Sequence, residues 1–155
     1  MSGMHERILA IDYGRVRHGL AVSDGLGLMA HALPALQRAD PARDLAHLRK
    51  VIDDRDIRQV VVGLPVSMDG TEGPMAAEVR RFGTALAAEL ELPVSYEDER
   101  LSTDEAETRL KERGLRPSDR RKLRDSLAAA VILDAVLERG GPDPALDPGT
   151  DPPQR

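Results

Sequence analysis

The sequence predicts an α/β fold: a five-stranded mixed sheet flanked by helices, with the first three strands antiparallel and the last two parallel to strand one. Three observations predict it. The first three apolar segments are joined by short polar links, which favour hairpins. Amphipathic stretches of helical length separate the later segments, which favours right-handed βαβ crossovers. The run Val60-Val61-Val62 suits a strand buried on both faces, next to strand one.

The elements follow in order. Arg7 to Asp12 (RILAID) is a short apolar strand with an acid at its mouth, followed by Tyr13-Gly14. His18 to Asp24 is the second strand, and Gly25 to Gly27 a turn. Met29 to Leu36 is a third strand, placed at an edge by Pro34. Asp40-Pro41 starts a helix, with Asp as N-cap and Pro in the first turn, and Leu45, Leu48, Val51 and Ile52 carry its apolar side to about Arg55. Ile57 to Leu64 is the fourth strand, ended by Pro65. Asp69-Gly70-Thr71 marks a loop. Met75, Val79, Phe82, Leu86 and Leu90 define a long helix, and Leu92 to Tyr96 a fifth strand. Ser102 or Thr103 caps a further helix, with Glu105 completing a capping box. A last helix runs from about Leu123 to Glu138, with Leu127, Val131, Ile132 and Val136 buried. Residues 1–139 are expected to form one domain. From Gly140 the text is rich in Pro, Gly and Asp, and residues 140–155 are expected to be a disordered tail.

Composition narrows the function. Among 155 residues, 22 are Lys or Arg and 27 Asp or Glu, a net charge of −5, which argues against a binder held by bulk positive charge. The chain has no Cys, which excludes disulfides, thiol catalysis and Cys-based zinc sites. Nothing reads as a signal peptide or a membrane span, so a soluble, cytoplasmic protein is expected.

Three acids stand out. Asp12 ends the first strand, Glu99 follows the fifth, and Asp125 falls in the first turn of the last helix. Ligand crevices form at the carboxyl ends of parallel strands. If strands one and five are parallel, Asp12 and Glu99 share that edge, and a helix crossing it adds Asp125. Converging carboxylates repel one another and sit wider apart without a cation; oxygen-only ligands favour Mg²⁺ or Mn²⁺. Each acid also fits a plainer role: Asp12 as a turn former, Glu99 as a surface partner of Arg100, Asp125 as a complement to its helix dipole. Arg109 to Arg124 is the most basic stretch, eight basic residues against Glu112 and Asp119. It includes Arg116, Arg120, Arg121, Lys122 and Arg124, and it suits either a polyanion backbone or plain solvation. Arg15 and Arg17 add positive charge near Asp12. A Ser–His relay has no support, since the four His (5, 18, 31 and 47) lie outside the Glu99 and Asp125 motifs.

RILAIDYGRVRHGLAVSDGLGLMAHAL, VVVGLPVSMDGTEGPMAAEVRRFG, YEDERLST and DSLAAAVIL, in this order and spacing, resemble the YqgF/RuvX family. Its members are Holliday-junction-resolvase-like nucleases linked to maturation of the 5′ end of precursor 16S ribosomal RNA. The resemblance implies a ribonuclease-H-like fold and a catalytic, metal-holding trio of Asp12, Glu99 and Asp125. It further implies a cleft lined by Gly14, Gly63, Pro65, Asp69, Gly70 and Thr71, with Arg100 and Thr103 beside the active site. Nucleic acid is the expected partner: precursor rRNA, branched DNA, or the ribosome. Either a monomer or a homodimer is compatible with the sequence. Two rivals remain. An actin-like ATPase of the same superfamily would need a second such domain; a non-catalytic RNA- or ribosome-binding module would show no turnover.

Overall fold

The computed structural model describes residues 6–99, 108, 112, 116–118 and 123–141. Strands β1 (Arg7–Asp12), β2 (Arg17–Ser23), β3 (Ala30–Gln37), β4 (Ile57–Leu64) and β5 (Val94–Asp98) form one sheet in the order β3-β2-β1-β4-β5. β1 is antiparallel to β2 and β2 to β3, whereas β4 is parallel to β1 and β5 to β4. The architecture is the one the connection lengths predict, with the valine run beside β1 and Val60, Val61 and Val62 fully buried.

Helices α1 (Pro41–Arg55) and α2 (Pro74–Leu90) cover one face. The Asp40 carboxylate accepts from the Arg43 N–H at 2.9 Å and Pro41 opens α1, a cap that contributes about 1 kcal/mol. Leu48, Val51, Ile52, Val79 and Leu86 pack on Leu9, Ile11, Val60 and Val62. The other face carries a 3₁₀ turn at Arg124–Ser126 and helix α3 (Leu127–Arg139). There Ala129, Ile132, Leu133 and Val136 pack on Ile8, Ala10 and Val61. Gly140, at φ 91°, and Gly141 return their N–H groups to the Val136 carbonyl and close α3.

Three expectations need correction. β5 begins at Val94 and runs to Asp98, two residues later than the expected Leu92 to Tyr96, because Pro93 stands outside the strand and only its carbonyl joins the pairing, accepting from the Val60 N–H. The last helix begins with a 3₁₀ turn, so Asp125 precedes α3 instead of lying in its first α-helical turn. Ser126, which stands at the α3 N-cap, makes no side-chain capping bond there. α3 is also buried on most of its circumference, beyond the expected stripe. Of the expected helix after Ser102 only Thr108 and Glu112 are among the described residues, both helical, and the residues from 142 onward lie outside them.

Candidate nuclease site

Strand alternation places the first two acids on one face. Leu9 and Ile11 pack toward α1 and α2, and Ile8 and Ala10 toward α3, so the alternation puts Asp12 on the α3 face and Tyr13 on the opposite one. On β4, Val61 faces α3, and so does Gly63, which follows the Ile11–Val62 pair in register and stands next to Asp12. On β5, Glu97 pairs with Arg139 of α3. Glu99 extends the ladder by donating its N–H to the Leu64 carbonyl at 3.1 Å. Its Oε1 lies 3.3 Å and its Cβ 3.5 Å from where a Cβ on Gly63 would stand, and Ile132 Cδ1 lies 2.6 Å from the same point. Gly63 is thus the gap between Asp12 and Glu99, at the carboxyl ends of three adjacent parallel strands.

The two carboxyls share one electrostatic environment. Burial pushes Asp12 up to about 6. Burial, then the negative charges of Asp12 and Asp98, push Glu99 up to about 7. Near neutral pH the pair is costly to ionise fully and is relieved by a proton or a cation.

Asp125 reaches the same edge by a different route. Gly19 pairs with Asp12 across the β1–β2 ladder. The β2–β3 register shifts there, with His18 opposite Leu36 and Leu20 opposite Leu33, so Pro34 and Ala35 together face Gly19. The Leu20 N–H donates to the fully buried Ser126 Oγ at 2.9 Å. A Cβ on Gly19 would overlap the Asp125 carbonyl oxygen and come within 3.1 Å of the Ser126 Cα. The backbone of the turn therefore rests on the strand partner of Asp12. The Asp125 carboxylate is 48% exposed and lies 3.6 Å from Nε of Arg17, itself 43% exposed. Such a solvated pair contributes at most about 1 kcal/mol, so an incoming charge can replace it. Among the described residues no three His, Asp or Glu side chains close on a single cation position.

The other predicted residues fall around this edge or beyond the described chain. Gly14 makes the tight β1–β2 link, where a Cβ would overlap the Arg17 carbonyl. Arg15 is exposed and bonds Glu78 of α2 at 3.0 Å. Pro65 leaves β4 at the carboxyl end, and the exposed loop beyond it holds Asp69, Gly70 and Thr71. Asp69 accepts from both the N–H and the hydroxyl of Thr71, which holds its carboxyl below the usual range. Arg116 and Arg124 are exposed. Arg100, Thr103, Arg120, Arg121 and Lys122 lie outside the described residues. Sequence reasoning missed Gly19 and Ser126 as the seat of Asp125. A lone glycine inside a strand pattern is the signal that could have found the first.

The RuvX family, described as Holliday junction resolvase, matches residues 6–139. Two curated relatives extend the match. A protein of Anaeromyxobacter dehalogenans strain 2CP-C, named "Putative pre-16S rRNA nuclease", is 48% identical over 88% of this chain and 99% of its own length. A Koribacter versatilis protein of the same name is 44% identical over 92% of this chain and 93% of its own.

This chain belongs to the RuvX family.

The fold of this RuvX-family chain is shared with Thermus thermophilus RuvC. The structure of RuvC with a Holliday junction substrate superposes with a TM-score of 0.53 at 23% identity, covering 90% of this chain and all of that one. A second RuvC structure from the same organism gives 0.53 at 20% identity, over 88% of this chain and 99% of that one. The sheet order and helix layers are accordingly those of a ribonuclease-H-like fold. Among the described residues no helix is long and apolar enough to cross a membrane.

Proposed function

We propose that this chain is a divalent-metal-dependent nuclease that hydrolyses phosphodiester bonds and acts in maturation of the 5′ end of precursor 16S rRNA, with residues 1–139 as its nuclease domain. The observation that carries the reading is the Asp12–Glu99 pair across the Gly63 gap, raised to about 6 and about 7. Perturbed carboxyls at the carboxyl end of a parallel sheet mark a functional site. The names of the curated relatives supply the substrate class.

The donor set fits a hard cation. Asp12 and Glu99 offer carboxylate oxygens whose mutual repulsion such an ion removes, and Asp125 offers a third from the neighbouring turn. Mg²⁺ or Mn²⁺ held there would supply water activation and charge stabilisation of the leaving oxygen. The remaining residues bind and orient. Ser126 and Gly19 hold the Asp125 turn against β2. The Arg17 guanidinium, weakly held by Asp125, is available to a phosphate oxygen. Arg116, Arg124 and the basic stretch with Arg120, Arg121 and Lys122 would draw the polyanion toward the acids. With no Cys in the chain and no His in the acidic motifs, hydrolysis is expected without a covalent protein intermediate.

The alternative reading is a resolvase acting on a four-way DNA junction, favoured by the description of the matched family. The test is cleavage of a 5′ precursor 16S rRNA fragment and a four-way junction side by side, with Mn²⁺, Mg²⁺ or chelator. The expected result is cation-dependent cleavage of the RNA at its maturation end. No cleavage of either substrate, with binding intact, would instead support a non-catalytic RNA-binding module.

A further inference from the structure

A groove of about 690 Å³ opens between α1 and α2, on the sheet face opposite the acids. It begins at Tyr13, the residue after Asp12. Two of the chain's three aromatic residues other than His, Tyr13 and Phe82, line it, and the buried His18 ring completes the cluster. The ring centroids lie 4.9 Å apart for Tyr13–Phe82, 5.1 Å for Tyr13–His18 and 4.8 Å for His18–Phe82. Tyr13 and Phe82 are only partly buried, which leaves ring surface for a further planar group.

Charge surrounds this apolar floor in a specific way. The Arg38 guanidinium sits 5.3 Å from the Tyr13 ring centroid and bonds the Gly14 carbonyl at 3.0 Å. The walls also carry three carboxylates, Asp44, Glu78 and Glu89, of which the first two are engaged. Glu78 accepts from the Tyr13 hydroxyl at 2.5 Å and from Arg15 at 3.0 Å, and Asp44 accepts from the Ala39 N–H at 2.9 Å. Arg81 adds an exposed cation to the α2 wall.

We propose that this groove is a nucleotide subsite, which takes one unstacked nucleobase from a single-stranded segment of the substrate. The inference rests on the nuclease reading and deepens it. Asp12 and Tyr13 are consecutive at the carboxyl end of β1 but face opposite sides of the sheet, so a strand whose phosphate meets Asp12 would pass over that end of the sheet to bring a neighbouring base to the Tyr13 ring. Aromatic faces and arginine planes stack bases of any sequence, and flanking cations take the adjoining phosphates. A base still in a duplex stack could not enter, so the subsite selects for single-stranded or frayed nucleic acid.

The test uses the full chain in chelator, so binding is read without turnover. Single-stranded RNA oligonucleotides carry 2-aminopurine at successive positions, and its fluorescence reports stacking. The expected result is saturable quenching confined to one or two positions. Ala85→Phe fills the groove from the α2 wall and Ala42→Phe from the α1 wall; both residues are exposed. Each should weaken oligonucleotide binding about tenfold and abolish the quenching, with an unchanged melting transition. Two variants on different helices keep the test decisive if one fails to fold. Wild-type binding without quenching at any position, or quenching that both blocked variants retain, overturns the proposal. Groove-dependent quenching by a protein that cleaves nothing with Mn²⁺ leaves the subsite standing and removes the catalytic reading instead.

Discussion

Gly19 holds the Asp125 carbonyl oxygen where any other residue would hold its Cβ. Because Gly19 is also the ladder partner of Asp12, one missing side chain brings two acids to the same edge. Backbone contact of this kind is rigid, unlike the solvated Arg17–Asp125 pair. Asp125 is therefore placed by its main chain, and its carboxylate remains available.

Gly19→Ala should push the 3₁₀ turn off β2. Overpacking against backbone costs about 1–3 kcal/mol, a fall of several degrees in melting temperature. Cleavage should fall at least tenfold, because the Asp125 turn moves with it. Ser126→Ala should show a pattern of similar size, leaving the Leu20 N–H unpaired at about 1–3 kcal/mol. Calorimetry and single-turnover cleavage on both variants check this. Unchanged cleavage by Gly19→Ala would contradict the seating role.

Asp12→Asn should stabilise the ion-free protein at pH 7.5. The folded carboxyl titrates near 6 against an ordinary 3.8. A raised carboxyl costs stability as pH rises from the unfolded to the folded value, and the cost is complete above about 6. Roughly two units correspond to about 3 kcal/mol, or roughly 6–12 °C in melting temperature at this chain length. The gain should vanish below about pH 4, where the acid is protonated in both states. Melting in chelator across about pH 3.5 to 8 measures it, and a destabilised Asn variant at pH 7.5 would refute it.

His18 should act in the opposite direction. Burial, then the Arg38 charge, lower it to about 4, and its Nδ1 accepts from the Gly14 N–H at 3.2 Å. A depressed histidine contributes stability that is complete above the unfolded value of 6.5 and is lost as pH falls toward 4. Relative to His18→Gln, the wild type should lose about 3 kcal/mol between pH 7 and pH 4. The difference between variants isolates this term from the opposite trend of Asp12 and Glu99. Parallel stability curves for the two proteins would contradict a buried neutral imidazole.

Much of the fold was legible in local pattern. Asp40-Pro41 marked the start of α1, and the Val60–Val62 run marked the strand buried beside β1. The boundary of β5 was displaced because Pro93 looks from sequence like a strand start, whereas only its carbonyl serves the sheet. At the site, Asp12 and Glu99 could be paired from topology, since both end strands of one parallel set. The seat of Asp125 could not. It depends on a register shift opposite Pro34 and Ala35 and on a hydroxyl that bonds Leu20, residues distant in the chain. One Phe, two Tyr and no Trp argue from composition against any base-stacking platform, whereas Tyr13, His18 and Phe82 do meet once α2 lies on the sheet.

In the proposed reaction Glu99 acts in metal-dependent hydrolysis beside Asp12. Single-turnover cleavage of the precursor 16S rRNA fragment by Glu99→Gln tests it most directly, at saturating protein with Mn²⁺ and with binding measured on the same preparation. The swap is nearly isosteric and removes one charge from the pair across Gly63. Folding and binding should remain intact, with cleavage reduced at least about a hundredfold, a loss of about 2.7 kcal/mol of transition-state stabilisation. Full cleavage by Glu99→Gln, or by the wild type in excess chelator, would contradict it.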